Sequence, residues 1–116
     1  MPFELLWTES ATRTFNTLQR AAETSLRNRQ SHKKSKATRD EGLFKQVVKC
    51  VQLLSADPRH PGLQAHEFTS IENPFRKGDK VCEAYVQNRT PGAYRLFWCY
   101  GPEQGQITVF AITPHP

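Results

Sequence analysis

The hydrophobic period of this chain changes at Asp57-Pro58, and that change limits its possible folds more than any other feature. Upstream, apolar residues recur at helical spacing. Ala11, Phe15, Leu18, Ala22 and Leu26 fall within an arc of about 80° at ~100° per residue, with Arg13 and Arg20 opposite. Thr8, Glu9 and Ser10 are helix-start residues that follow the short apolar run from Phe3 to Trp7. A second stripe of Leu43, Phe44, Val47, Val48, Val51 and Leu54 spans about 140°. Thr38-Arg39-Asp40-Glu41 before it has the spacing of a capping box. The residue before a proline resists the α conformation, so the second helix stops at Asp57.

Downstream the apolar residues come in short runs between turn residues. Leu63 to Phe68, Val81 to Gln87, Tyr94 to Tyr100 and Ile107 to Ile112 read as strands. Tyr94 to Tyr100 has apolar and aromatic residues on both faces, as a central strand has. Pro114 and Pro116 limit further pairing at the end. The expected order is β-α-α-β-β-β-β. The fold class is therefore α+β: a two-layer domain with a helical hairpin packed on an antiparallel sheet. With 116 residues, the chain reads as one domain throughout.

The charge is uneven. Residues 1–39 hold 8 Lys/Arg and 3 Asp/Glu, whereas residues 40–116 hold 8 of each, so the net +5 lies wholly in the first third. Arg27, Arg29, Lys33, Lys34, Lys36 and Arg39 form an acid-free run between the two helices. Such a run attracts polyanions by Coulomb steering and counterion release; it serves equally as a solvated linker. No stretch reaches the ~18 consecutive apolar residues of a membrane span. The start, MPFELLWTES, lacks the basic region of a signal peptide. The three cysteines, Cys50, Cys82 and Cys99, are odd in number and lack CxxC spacing, which suits a reducing cytoplasm. Histidine and cysteine spacing offers no metal site, and there is no glycine-rich phosphate loop.

Several pieces, in order, resemble the RelE/ParE superfamily of bacterial toxins from toxin–antitoxin pairs. Trp7-Thr-x-x-Ala11-x-x-x-Phe15 is similar to the family's first strand and helix. Leu53-Leu-x-x-Asp57-Pro-Arg-x-Pro-Gly-Leu63-x-x-His66 resembles its second helix, loop and next strand. Tyr94-Arg95-Leu-Phe-Trp98 resembles its central strand, and Ile107-Thr-Val-Phe-Ala-Ile-Thr-Pro-His115 a closing strand that delivers a histidine. Two departures stand out. The helices are joined by a long basic connection. The loop before Leu63 carries Arg59, His60 and Pro61 where some RNA-cleaving members have a carboxylate.

The resemblance implies a metal-independent, cofactor-free endoribonuclease that represses translation. Its implied partners are a cognate antitoxin, messenger RNA and the ribosome, with DNA contacted only indirectly through the antitoxin. The alternative is a gyrase inhibitor without catalysis, or a binding protein that has lost toxicity. RNA cleavage by 2′-OH attack needs a base, an acid and positive charge at the phosphorane. Arg95, a charge within an apolar strand, is the expected phosphate group, or else a structural partner of Glu83. His115 is the expected proton-transfer group. Glu83 and His60 are accessory candidates, and Lys33, Lys34, Lys36, Arg39 and Arg59 are expected to face RNA. His66 reads as a residue hydrogen-bonded locally, and Tyr94, Trp98 and Tyr100 as core beneath the hairpin.

Overall fold

A computed structural model describes residues 2–31, 36–88 and 92–114. Strand β1 (Glu4–Trp7) leads into helix α1 (Glu9–Ser31), then helix α2 (Arg39–Ala56). A 3₁₀ turn (Pro61–Leu63) precedes β2 (His66–Glu67), β3 (Cys82–Tyr85), β4 (Tyr94–Tyr100) and β5 (Gln106–Pro114). The five strands form one sheet in the order β1-β5-β4-β3-β2.

The helix starts are set by side chains. Thr8 Oγ1 accepts the Ala11 N–H at 3.2 Å and donates to the Phe110 carbonyl at 3.2 Å, so it caps α1 and ties it to β5. At α2 the capping box forms as the sequence requires, with Thr38 and Glu41 satisfying each other's backbone N–H groups. At its far end the Asp57 N–H closes on the Leu53 carbonyl at 2.8 Å. The Asp57 carboxylate then accepts the Arg59 N–H at 3.0 Å, which turns the chain toward the sheet.

Two layers result, with the hairpin on one face of the sheet. Ala11, Val47, Cys50 and Leu54 meet Leu96, Trp98, Ile107, Val109 and Ile112 in one buried cluster. Phe15, Leu18 and Val51 are partly buried against it, as their apolar arcs require. Trp98 is in the core at 1% exposed and Tyr94 packs on it, but Tyr100 is half exposed.

The sheet differs from a plain antiparallel meander in three ways. The four later strands pair antiparallel as expected, but β1 pairs parallel with β5, so the sheet is mixed. This places the first strand beside the last, and the sequence between them must cross over through both helices. Second, β2 is only two residues, because Leu63 belongs to the 3₁₀ turn and Gln64 is left-handed at φ 48°. Third, β5 runs on to Pro114, which pairs with Tyr94 as its last residue.

The basic connection is shorter than its charge run. Arg27 and Arg29 sit within α1, and Arg29 forks onto the Glu41 carboxylate, with Nη2 at 2.7 Å and Nε at 3.1 Å. Ser25 and Thr38 share a hydrogen bond beside it. Arg29 thus closes the hairpin. The guanidinium and the Thr38 donors together lower the Glu41 carboxyl from 4.5 to about 2.

Candidate functional site

The face of the sheet turned away from the helices carries the polar residues. Residues paired across neighbouring strands share a face, and the face alternates along each strand. Register therefore puts Tyr85, Arg95 and Thr113 in one row and His66, Glu83 and Phe97 in the next.

Arg95 is 8% exposed. Its Nη1 donates to the Gln87 carbonyl at 2.7 Å and to the Tyr94 carbonyl at 3.2 Å. The guanidinium carbon lies 3.7 Å from the centre of the Tyr85 ring, a cation–π contact. Its Nε–H is buried without an acceptor among the described residues. Gln87 is fixed in turn, since its Oε1 accepts the Tyr94 N–H at 3.1 Å. A flat cation is thus held in one orientation by an aromatic ring and two carbonyls.

Beside it, Glu83 is 2% exposed, and its Oε1 lies 2.8 Å from His66 Nε2. The other ring nitrogen of His66 lies 2.9 Å from the Gln64 carbonyl. Both ring nitrogens of His66 are thus engaged, one by the Glu83 carboxylate and the other by the Gln64 carbonyl. The ring also meets Tyr85 edge-on at 5.8 Å. Tyr85 therefore joins the His66–Glu83 pair to Arg95.

The other expected residues distribute as follows. His60 Nδ1 accepts the Gly62 N–H at 2.9 Å, which pins the 3₁₀ turn. Arg59 is exposed. Arg59, His60 and His66 line one recess at the β2 edge, together with Lys80 and Tyr100. Arg39 opens α2 and is exposed, as is Lys36, on the opposite layer from Arg95. His115, Lys33 and Lys34 lie outside the described residues. Among the described residues no group of His, Cys, Asp and Glu is arranged to hold a metal, and no helix is long and apolar enough to cross a membrane.

Sequence reasoning singled out Arg95 and Glu83 but overlooked Tyr85 and Gln87 and gave His66 only a local role. The period-two spacing of Glu83 and Tyr85 was the available signal. It became informative only with the β3–β4 register.

No family profile matches the chain, and no curated protein matches it. Its fold is nevertheless similar to that of solved toxins. A YoeB/ParE toxin from Agrobacterium tumefaciens superimposes with a TM-score of 0.56 at 11% identity, over 97% of this chain and 99% of that one. An archaeal RelE–RelB complex from Pyrococcus horikoshii OT3 gives 0.56 at 12% identity, over 98% and 96%. A YoeB dimer from Staphylococcus aureus gives 0.55 at 9% identity, over 100% of both chains. Sheet, hairpin and element order together are similar to those of these RelE and YoeB/ParE structures.

Proposed function

We propose that the chain is the toxin of a toxin–antitoxin pair and that it cleaves messenger RNA without a metal. The observation that carries this reading is Arg95, an oriented guanidinium on the helix-free face of the sheet next to an imidazole–carboxylate pair. In the reaction, a ribose 2′-OH attacks the adjacent phosphorus and loses its proton to a base. The 5′-oxygen leaves with a proton from an acid, and a 2′,3′-cyclic phosphate remains. Arg95 offsets the charge that builds on the phosphoryl oxygens. His115 and His66 are the imidazoles assigned to proton transfer, with Glu83 orienting His66. Arg59 in the neighbouring recess supplies charge toward the RNA backbone with His60 as a hydrogen-bonding neighbour, and Lys33, Lys34, Lys36 and Arg39 add Coulomb attraction for the polyanion. A cognate antitoxin would silence the chain in the cytoplasm, a partner supported by the likeness to the RelE of an archaeal RelE–RelB complex.

A second reading has a specific observation in its favour. Arg95 is almost fully buried and already engaged by two carbonyls and a ring, as a structural arginine would be. The 57–64 loop also lacks a carboxylate near His60 other than Asp57, which is occupied in capping. Those features suit a binding toxin that acts on a protein such as gyrase. The deciding experiment incubates the purified chain with ribosomes and message in excess chelator, and separately with gyrase and plasmid. Cut message ending in a cyclic phosphate supports the first reading. Intact message with lost supercoiling activity supports the second.

A further inference from the structure

The helical hairpin carries more apolar surface than the sheet covers. Val47, Cys50 and Leu54 of α2 enter the core, but Phe44 and Val48, at one side of the same broad stripe, lie outside the core cluster and are only half buried. Leu26, the last apolar residue of the α1 stripe, also lies outside it and is 37% exposed. With Ala22, these residues line a groove of about 810 Å³ between the two helices. The groove follows α2 from Glu41 to Gln52, a length of about 16 Å at 1.5 Å per residue. The Arg29–Glu41 pair stands at one end of it.

Its two banks differ in charge. The α1 bank carries Glu23, and the α2 bank carries Lys45 and Lys49, one turn apart. All three are exposed, and none makes an ion pair among the described residues. Between the banks Gly42 leaves a hollow, since a Cβ there would meet nothing within 4 Å.

We propose that this groove is the contact between two copies of the chain. A two-fold axis running along the hairpin would lay α1 of each copy against α2 of the other. Glu23 of each copy then meets Lys45 and Lys49 of the other, and Leu26 enters the other groove beside Phe44 and Val48. A two-fold axis across the hairpin would instead set α2 on α2 and bring four lysines together. The charge pattern therefore selects the first arrangement, in which every helix lies antiparallel to its neighbours, as in a four-helix bundle. An amphipathic helix of another protein would fit only if it carried a base opposite Glu23 and acids opposite both lysines. A second copy carries that pattern already. The groove is smaller than a standard interface of roughly 20–30 residues a side, so the dimer is weak. Both helix-free faces point outward in it, and the proposal does not depend on the RNA reading.

The test is sedimentation equilibrium of the full chain over roughly 10–500 µM, where a monomer–dimer equilibrium is expected. Glu23→Lys should weaken association about tenfold, because attraction across the groove becomes repulsion. Lys45→Glu combined with Lys49→Glu should weaken it to the same degree. Mixing these two variants in equal amounts should restore association, because each then presents opposite charge to the other. All three positions are exposed, and a melting curve checks that the fold is retained. A wild-type chain that stays monomeric throughout overturns the proposal, as does association that neither variant weakens. A mixture that associates no better than either variant alone also overturns it, and would give the groove to a different protein.

Discussion

The two faces of the sheet solve opposite problems with neighbouring residues of the same strands. On the helix-covered face, Leu96 and Trp98 of β4 are 0% and 1% exposed within an apolar cluster. On the other face, the alternate residue Arg95 is held by a ring and two carbonyls, and Glu83 by an imidazole. Phe97 divides that face, covered by Phe68 at 5.1 Å and facing Phe110 at 6.4 Å. The first face contributes stability through buried area. The second keeps desolvated polar groups in fixed positions, an arrangement that contributes little to folding and is suited to binding an anion.

The largest stability effect should come from the covered face. Trp98→Ala removes the largest fully buried side chain and should cost about 3–5 kcal/mol, read from urea denaturation. A loss comparable to a surface substitution would break the contrast between the faces. On the other face, His66→Ala should cost only about 1–3 kcal/mol, from removing one partner of the buried Glu83 carboxylate. His66→Ala should reduce function by more than stability, and the reverse order would make His66 purely structural. Smaller again is the hairpin closure. Thr38→Ala removes the cap of α2 and should cost about 1 kcal/mol by thermal melting.

The Glu41 carboxyl adds a pH dependence whose sign is fixed. Its pKa is lowered on folding, from 4.5 to about 2, chiefly by Arg29. Its stabilisation is therefore present above the ordinary value and is lost as pH falls from about 4.5 toward 2. Glu41→Gln should flatten the stability profile in that window and leave it unchanged near neutrality in slope. An unchanged acid slope would show that the Arg29 contact does not persist in solution.

Local signals in the sequence translated well into structure. The Thr38–Glu41 capping box, the Asp57-Pro58 stop and both helix stripes depend on residues within a turn of one another, and they are found as read except at Leu26, where the first stripe ends in an exposed side chain. The parallel pairing of β1 with β5 joins Glu4 to Gln106, a contact that no local pattern encodes. The same reasoning divides the site. Arg95 was legible because a charge inside an apolar strand is conspicuous. Its seat on Tyr85 and Gln87, and the approach of His66 to Glu83, depend on strand register across the 68–81 loop. Arg29 belonged on sequence grounds to the acid-free basic run between the helices, yet it is committed to Glu41 because the hairpin folds its two ends together.

The central claim is that the helix-free face performs the chemistry through Arg95. Its most direct test is the single-turnover rate of message cleavage by Arg95→Ala and Arg95→Lys, with folding checked by circular dichroism. Arg95→Ala should lose about 10²–10³ in rate, as removal of one charge-stabilising donor does. Arg95→Lys keeps the charge but not the planar fork, and it should recover only part of that loss. Both variants should retain wild-type secondary structure, because the helix-covered core is untouched. Wild-type rates in both folded variants would contradict the account and leave Arg95 as a strut of the sheet.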